Sequence, residues 1–462
     1  MTTVTDLKGG TIIDGTGKPA LRNAWLRIED ARIAAVWTGE RPREAERPAT
    51  QTIDVSGKTI MPGLIDAHCH ISYGEGRTAE EVDVYGGAEW AAVRAVWNAA
   101  KVLQSGVTSF CDPGSTWNVA VTCRDAIANG MYPGPRVFAA GRHIVADGGF
   151  ADYFPSWLGM PASAEGVLCS TRDEMAREVR RQVKNRVDMI KISGDSQAQD
   201  RLADAGPCFT QEELELIVGL AHQLGRKVAI HSRYANTVVA AARAGVDWLM
   251  HASYMRREDV GLIRDLQVAI CPTLTFTANL IEHGREAGVD PNYIDIKRRE
   301  FDALVDIHRR SYEAGIPLMA GSEAGFSVTP YGEWHSRELE LMVEHLGMQP
   351  MDVIRSATWI NAKAFGWEGE VGTLKPGLQA DLLVVDGDPL EDIRVLGDRE
   401  RIQQIYKGGR LVDRSAEPAE RRRLAHERGF NISTTVLHRP ARSRSATGPA
   451  ARDQRKATTS AK

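Results

Sequence analysis

Two histidines separated by one residue are the first side chains in the sequence whose spacing could do chemistry. They are His68 and His70, at the end of the stretch MPGLIDAHCH (residues 61–70). Residues i and i+2 of a β-strand face the same side, so both imidazoles can share one partner, and a metal ion is the obvious candidate. The alternative is that one ring caps the strand while the other forms a hydrogen bond in the core.

Polar residues recur at the ends of four later β-like runs. They are Lys191 in DMIKIS (188–193), His231 in KVAIHS (227–232), His251 in DWLMHAS (247–253) and Glu323 in PLMAGSE (317–323). Each has an ordinary structural interpretation, as a lysine with a buried stem, a hydrogen-bonded core histidine or a glutamate that caps a helix. Their recurrence at equivalent positions favours one catalytic centre over these separate explanations.

The elements that would position these residues alternate regularly. From residue 61 onward, eight short β-like runs alternate with segments of helical period, such as TQEELELIVGLAHQLG (210–225), which opens with the capping-box pattern of Thr210 and Glu213. Eight β/α units predict an α/β fold, a (β/α)8 TIM barrel, over residues 61–372. Active sites of such barrels lie at the C-terminal ends of the strands, where the polar residues stand.

The two ends of the chain have a different character. Residues 1–60 and 373–415 are β-rich with glycine and aspartate turns, so we expect them to form one small β-sandwich domain from both chain ends. Residues 416–462 hold eleven Lys/Arg against four Asp/Glu and show no apolar periodicity, which predicts a basic, flexible tail. Aromatic residues are almost absent from the last part of this tail, so nucleic-acid binding is not expected.

Composition bounds the remaining possibilities. The chain has 462 residues, of which 43% are hydrophobic, and six cysteines that stand singly. Scattered cysteines argue against a disulfide framework and against a structural zinc module. The first residues lack the pattern of a signal peptide, and no apolar run is long enough to span a bilayer. We therefore expect a cytoplasmic protein with a small-molecule substrate and no membrane partner.

The chain resembles the amidohydrolase superfamily from Gly10 to about Val412. The motifs are PGLIDAHCH, IKIS, IHS, LMHAS, GSEAG and the closing GTLKPGLQADLLVVDGDP. The resemblance implies two divalent metal ions, with Zn²⁺ expected and Co²⁺, Mn²⁺ or Fe²⁺ as alternatives. It implies that His68 and His70 bind one ion, that His231 and His251 bind the other, and that Lys191 bridges them as a carbamate formed with CO₂. Homo-oligomers are common in this superfamily, and we expect one here.

One residue departs from the superfamily pattern. The eighth strand usually ends in an aspartate that binds the buried metal and carries a proton, whereas this chain has Glu323. A carboxylate remains, but it reaches one methylene further. We interpret Glu323 as both a metal ligand and the catalytic acid and base, and the alternative is that it does not bind the metal and acts only as acid and base.

Two further stretches narrow the resemblance to one branch. PRVFAAGRHIVADGGF (135–150) and GEWHSRELELMVEHLGM (332–348) resemble the branch that contains imidazolonepropionase-like enzymes, prolidase-like dipeptidases, ochratoxin-type amide hydrolases and the molinate and phenylurea hydrolases. This branch implies hydrolysis of a carbon–nitrogen bond by a hydroxide held between the two metal ions. His143 would polarise the scissile carbonyl, with a loop-solvating histidine as the alternative.

The substrate is the least determined part of the prediction. Aromatic residues crowd the loop at 148–166, and we expect Phe154 and Trp157 to form an apolar lid, unless they only pack the loop itself. Tyr234 is a second candidate at the rim. A lid favours a neutral amide, urea or carbamate with an apolar or aromatic group. The alternative is an Xaa-Pro or other dipeptidase, for which Arg233 would hold the free carboxylate.

Two other functions stay open as alternatives. A mononuclear deaminase of the same superfamily normally has a glutamate soon after the histidine of the fifth strand and lacks the strand-four lysine, whereas this chain has HSRYANT and Lys191. A non-enzymatic assembly protein of the dihydropyrimidinase-related kind usually loses metal ligands, and this chain retains all of them apart from the change to Glu323.

Overall fold

The structure of the protein is a computed structural model that describes residues 3–197, 206–415 and 437–439. The predicted basic tail at 416–462 lies outside the described residues apart from Leu437, His438 and Arg439.

β-Strands occur from one end of the described chain to the other. In chain order they are β1 (Val4–Ile12), β2 (Leu21–Glu29), β3 (Arg32–Trp37), β4 (Gln51–Asp54), β5 (Thr59–Pro62), β6 (Leu64–Asp66), β7 (Val107–Asp112), β8 (Arg136–Ala139), β9 (His143–Val145), β10 (Gly166–Leu168), β11 (Met189–Ser193), β12 (Lys227–Tyr234), β13 (Trp248–Tyr254), β14 (Ala269–Cys271), β15 (Leu382–Val385), β16 (Ile402–Lys407) and β17 (Arg410–Leu411).

Helices follow most of the strands between residues 66 and 365. The α-helices are α1 (Ala79–Asp83), α2 (Ala88–Gln104), α3 (Val119–Ala128), α4 (Arg172–Lys184), α5 (Gln211–Gln223), α6 (Ala235–Ala244), α7 (Val260–Asp265), α8 (Leu274–His283), α9 (Pro291–Glu313), α10 (Arg337–Glu344), α11 (Pro350–Arg355) and α12 (Asn361–Ala364). Short 3₁₀ turns lie at Arg43–Ala45, Arg257–Asp259 and Ile393–Gly397, and a π-helical turn at Ser356–Ile360 joins α11 to α12. Within the described ranges, no helix combines the length and the apolar character needed to cross a membrane.

Strands from both ends of the chain form one eight-stranded sheet. Its order is β17-β16-β15-β5-β1-β2-β3, with β4 pairing in parallel with β1. The antiparallel pair of β5 and β15 joins the two ends, with Ile60 opposite Val384. Alternate residues of β3 are buried, as expected for a strand with one face on a core. Strands β1–β5 and strands β15–β17, which are far apart in the sequence, therefore belong to one sheet.

The remaining strands are parallel. One sheet has the order β6-β7-β8 and another has the order β10-β9-β11-β12-β13-β14. A bridge between Ala140 and Met189 connects the two sheets. Seven of the eight predicted β-runs contain a strand. The eighth run, 317–323, makes single contacts instead. These are a parallel bridge from Leu318 to Ile270 and a hydrogen bond from the Ala67 amide to the Ala320 carbonyl.

Apolar residues fill the space between the parallel strands. This cluster includes Phe138, Met189, Ala229 and Trp248, all nearly inaccessible to water. Since residues two apart on a strand face the same side, Lys191 points the same way as Met189, and His231 the same way as Ala229. The polar candidates therefore continue the interior face of the strands beyond this cluster.

Local sequence signals explain the helices that hold these strands in place. The predicted capping box at the start of α5 is confirmed, because the Glu213 amide donates to Thr210 Oγ1 at 3.3 Å and the Thr210 amide donates to the Glu213 carboxylate at 2.8 Å. Helix α6 ends at Gly245, whose φ of 86° is the left-handed conformation that glycine adopts without strain.

Candidate active site

One buried cavity contains every polar residue that the strand ends suggested. The candidates that line it are His68, His70, His143, Lys191, His231, Arg233, Tyr234, His251 and Glu323. The first two histidines follow β6, and Lys191, His231 and His251 stand on β11, β12 and β13. The parallel direction of these strands brings their polar residues to one edge.

His68 and His70 face each other in this cavity. Their Nε2 atoms lie 2.9 Å apart, and His70 Nδ1 lies 2.9 Å from the Gly114 carbonyl oxygen. Because that oxygen only accepts, Nδ1 of His70 carries the proton and Nε2 keeps its lone pair. Burial lowers the pKa of His70 to about 3, so the ring is neutral, which is the form that binds a metal ion.

His251 presents an equally defined nitrogen. Thr273 Oγ1 donates to the Pro272 carbonyl at 2.7 Å, so it accepts from His251 Nδ1, which is 2.6 Å away. The unprotonated Nε2 of His251 is buried and has no hydrogen-bond partner among the described residues. The φ of His251 is 70°, an uncommon conformation for a residue with a side chain. Such strain is typical of functional positions.

His231 lies beside His251 but has a different partner. The two ring centroids are 4.5 Å apart, and the Phe150 ring stacks on His231 at 4.0 Å. His231 Nε2 is 2.7 Å from Nη1 of Arg233, which donates to it. A metal ion that bound this nitrogen would require Arg233 to shift towards Glu300, its ion-pair partner at 2.8 Å.

Lys191 is almost completely buried, with 1% of its surface exposed. Burial lowers the pKa of Lys191 to about 8, and Nζ lies against Met250 Sδ. A neutral amine is the form of lysine that can react with CO₂ to give a carbamate. The carbamate that the resemblance implies for Lys191 requires this neutral form.

Glu323 is the carboxylate of the group. Burial raises the pKa of Glu323 to about 7, and the Arg233 and Lys297 charges oppose that effect. A carboxyl group with this pKa can both take up and release a proton at neutral pH. Its φ of 55° is a left-handed conformation, and the Thr329 hydroxyl donates to its carbonyl oxygen at 2.8 Å.

The donor set fits two metal ions only if Lys191 takes part. Within residues 3–197, 206–415 and 437–439, no three histidine, cysteine or carboxylate side chains already form a metal-binding group. The histidines instead come as two pairs, and Lys191 stands on β11, the strand that pairs with β12 and its His231. Free imidazole nitrogens and a carbamate oxygen are suitable ligands for zinc and similar ions. The orphaned Nε2 of His251 is the observation that a metal ion would explain directly.

His143 lies at the start of β9, with its ring centroid 6.1 Å from that of His70. Both ring nitrogens are buried without a hydrogen-bond partner in the described part of the chain. Burial keeps the pKa of His143 well below its usual value, so the ring is neutral. Gly114 makes room for it, since a Cβ at that position would collide with Nε2 of His143. An unpartnered neutral imidazole can donate a hydrogen bond to a substrate oxygen.

A cluster of charges forms another part of the cavity wall. Glu300 accepts from Arg233 at 2.8 Å, from Lys297 at 2.7 Å and from Ser253 at 3.0 Å. Two cations thus share the carboxylate of Glu300, and the buried carboxylates of Asp195 and Glu323 line the same cavity. Tyr234, which is 6% exposed, stacks on Tyr254 with a centroid distance of 5.9 Å.

The structure does not bring the two predicted lid residues to the cavity. Phe154 and Trp157 are both described, yet neither lines it, and 83% of Trp157 is exposed. Phe150 and Tyr153 from the same loop line the cavity instead. The physical reason is that the loop turns outward after Tyr153, and Pro155 begins an exposed stretch. The aromatic crowding in the sequence did not reveal which rings point inward.

Sequence reasoning also missed a hydrogen-bond network that links the two ends of the site. Asp66 accepts from the His68 amide at 2.9 Å, from the Ser322 amide at 3.0 Å and from His335 Nδ1 at 2.6 Å. It thereby fixes the segment with the first histidines against the segment with Glu323. Asp66 and His335 lie 269 positions apart, so no local pattern could have paired them.

Comparisons with known proteins agree with this arrangement. The amidohydrolase family model matches residues 59–412. Ochratoxinase from Aspergillus niger is 30% identical over 436 residues, which cover 88% of this chain and 86% of the relative. The crystal structure of A. niger ochratoxinase has a TM-score of 0.78 at 25% identity, over 89% of this chain and 95% of that one.

Two other solved structures are similar. A Xaa-Pro dipeptidase with methionine bound in its active site has a TM-score of 0.77 at 28% identity, covering 89% of this chain and 100% of that chain. Molinate hydrolase has a TM-score of 0.75 at 23% identity, over 92% of this chain and 98% of that chain, and so shares the fold.

Proposed function

The chain belongs to the amidohydrolase family, and from this premise we propose that it hydrolyses a carbon–nitrogen bond of an amide, urea or carbamate with the help of two divalent metal ions. One observation carries the proposal. The six predicted metal ligands come from five separate segments or strand ends and line the same cavity; they are His68, His70, Lys191, His231, His251 and Glu323.

Each histidine pair would hold one ion, and Lys191 would lie between them as a carbamate. Bound divalent ions, zinc by preference and cobalt, manganese or iron otherwise, supply a hydroxide nucleophile at neutral pH and polarise a carbonyl. The Thr273 hydroxyl and the Gly114 carbonyl orient the rings of His251 and His70 by their bonds to Nδ1.

The remaining residues would handle protons and charge at the scissile group. Glu323, with a pKa of about 7, would take a proton and deliver it to the departing nitrogen. His143 would donate a hydrogen bond from its neutral ring to the carbonyl oxygen as negative charge develops there. Both side chains are buried, and electrostatic interactions are stronger there than in bulk water.

Aromatic side chains favour a substrate with an apolar or aromatic part. Phe150, Tyr153, Phe276 and Phe326 line the cavity. Ochratoxinase, the 30% identical relative, is a hydrolase whose name refers to ochratoxin. We therefore place a small aryl or alkyl amide, urea or carbamate first among the candidate substrates.

A dipeptide is the second candidate, and a specific observation favours it. Arg233 and Lys297 share the carboxylate of Glu300 and both line the cavity, so a substrate carboxylate could accept hydrogen bonds from one of them. The similarity to a Xaa-Pro dipeptidase structure points in the same direction. A free carboxylate group would then distinguish a dipeptide substrate from a neutral amide, urea or carbamate.

We also propose that residues 61–372 form a (β/α)8 barrel and that residues 1–60 and 373–415 form a separate β domain. The parallel order of the inner strands, with the bridges at Ala140 and Leu318, supports the barrel. The joining of β5 to β15 supports a domain made from both ends.

The test compares metal-depleted protein with protein reloaded with zinc on a panel of anilides, phenylureas, carbamates, Xaa-Pro dipeptides and a cyclic amidine. We expect hydrolysis only after reloading, with release of an amine from at least one class. Full activity with one ion per chain, or release of ammonia from a cyclic amidine with no amide cleavage, would overturn the proposal in favour of a mononuclear deaminase.

A further inference from the structure

Two buried carboxylates that no proposed catalytic step uses stand in the wall of the same cavity. Asp83, at the end of α1, is fully buried, and Glu165, just before β10, is 6% exposed. The Glu165 amide donates to Asp83 Oδ1 at 2.9 Å. Both residues line the cavity. They are therefore neighbours that share one environment.

Half of the Asp83 carboxylate lacks a partner. Its Oδ2 is buried and has no hydrogen-bond partner among the described residues. Burial and the nearby Glu165 raise the pKa of Asp83 well above its usual value, and burial raises that of Glu165. An unpaired buried carboxylate is costly, and a second acid beside it increases the cost. Either a shared proton or a cation that enters the cavity would relieve it.

The arginine that acts on Asp83 is already engaged by other partners. Arg142 lowers the pKa of Asp83, but its guanidinium donates to the backbone carbonyls of Pro161, Ala164 and Gly166. Arg142 does not belong to the described residues that line the cavity. A cation that reached Asp83 Oδ2 from the cavity side would meet no competing guanidinium there.

Aromatic rings complete the surroundings of this pair. The hydroxyls of Tyr73 and Tyr153 oppose the effect of burial and lower the pKa of Glu165. The Phe150 and Tyr153 rings meet edge to face with centroids 5.7 Å apart. Rings beside carboxylates are a common environment for an ammonium group, which is attracted by both.

From these contacts we propose that Asp83 and Glu165 form a subsite that binds an ammonium or other cationic group of the substrate. This inference rests on the proposed function, because it assigns the cationic group to the molecule whose carbon–nitrogen bond is cut. The cavity would then hold a substrate with a positive group near Asp83 and, for a dipeptide, a carboxylate near Arg233.

The experiment measures binding rather than turnover. Isothermal titration calorimetry on the metal-loaded, full-length protein compares 3-phenylpropylamine with 3-phenylpropan-1-ol, which has the same ring and chain but no charge. We expect the amine to bind at least about tenfold more tightly, since charge-assisted bonds are stronger than neutral ones. In the Asp83→Asn and Glu165→Gln variants, the amine and the alcohol should bind with about equal affinity. The affinity for the alcohol should stay at its wild-type value.

Thermal melting separates a binding role from a structural one. Asn at position 83 can still accept from the Glu165 amide, and it removes a buried charge, so its melting temperature should stay equal or rise. The matched control is Glu178→Gln, which neutralises a buried carboxylate on α4 that does not line the cavity. That variant should keep the preference for the amine.

Equal affinity of the wild-type protein for the amine and the alcohol would overturn the subsite, and this comparison needs no variant. A preference for the amine that persists in both Asp83→Asn and Glu165→Gln would also overturn the subsite, because that result is expected if the metal ions bind the amine. Hydrolysis of neutral amides without any preference for the amine would refute the subsite and leave the proposed function intact. Tighter binding of the amine without hydrolysis of any carbon–nitrogen bond would refute the proposed function and leave the subsite intact.

Discussion

The Nε2 atoms of His68 and His70 lie 2.9 Å apart in the buried cavity, and neither ring carries a charge there, because burial lowers the pKa of both. Two neutral imidazole nitrogens at this separation are close to the spacing of two ligands on one metal ion. The bond from His70 Nδ1 to Gly114 fixes one ring in that orientation.

The first prediction concerns metal content. We expect about two divalent ions per chain by elemental analysis, since two pairs of histidines are present. His70→Ala and His251→Ala should each lose about one of them. His222→Ala, which changes a half-exposed histidine that is paired with Asp247 and does not line the cavity, serves as the control and should keep both. A wild-type protein with one ion and full turnover would contradict the prediction.

The second prediction concerns Lys191. Loss of a residue that only supports a metal ligand typically lowers activity roughly 10- to 100-fold. Lys191→Ala should lower kcat/KM by more than this, because it removes the proposed bridge between the two ions. Added propionate should restore part of the activity by occupying the place of the carbamate. Lys191→Arg cannot form a carbamate and fills the same space, so propionate should not rescue it. Unchanged turnover in Lys191→Ala would mean that the residue is only structural.

The third prediction is a dependence of stability on pH through His308, whose Nε2 donates to the His251 carbonyl at 2.6 Å. Burial lowers the pKa of His308 to about 4, whereas an unfolded chain has a histidine pKa of about 6.5. Between these values the unfolded state binds more protons, so the free energy of unfolding falls as pH drops below about 6.5. At pH 5 this group alone should remove about 2 kcal/mol.

Urea unfolding of the metal-free protein at pH 7 and pH 5 tests this point. His308→Gln can keep the donor to His251 but does not titrate, so its loss of stability between the two pH values should be smaller by about 2 kcal/mol. Equal losses in the two proteins would show that His308 is not the responsible group.

The strand-end residues show why much of the site could be predicted from the sequence. Parallel strands place their C-terminal ends at one edge, so Lys191, His231 and His251 could be grouped from local patterns alone. The same reasoning covered the capping box of Thr210 and Glu213, since both partners lie within one turn. Short-range rules suffice where the partner is near in sequence or set by strand direction.

Contacts between distant segments lay beyond that reasoning. The bonds from Asp66 to His335 and from Glu165 to Asp83 join loops whose approach depends on the packing of whole elements. The orientations of the Phe150 and Trp157 side chains are likewise set by the path of an irregular loop. Such a loop has no regular sequence period from which the orientations could be predicted. The eighth run also lacked a strand ladder, because single contacts at Leu318 and Ala320 replace it.

The last prediction tests which aromatic residues contact the substrate. Phe150 stacks on His231 and lines the cavity, whereas Trp157 is 83% exposed, so the two rings should respond differently to removal. Phe150→Leu and Tyr153→Ala should lower kcat/KM for aryl amides about tenfold, since each loses part of a buried ring contact worth about 1.5–3 kcal/mol. Trp157→Ala, the matched control from the same loop, should leave kcat/KM within about twofold.

Arg233 completes the same experiment. If the substrate carries a carboxylate, Arg233→Met should raise KM for dipeptides by a factor that corresponds to about 2 to 3 kcal/mol, while neutral anilides keep their KM. Glu300→Gln is the informative partner variant, because it frees Arg233 and Lys297 from their shared carboxylate and should lower the KM of carboxylate-bearing substrates. A panel in which Trp157→Ala abolishes turnover and Phe150→Leu does not would show that the outer part of the loop, rather than the cavity wall, holds the substrate.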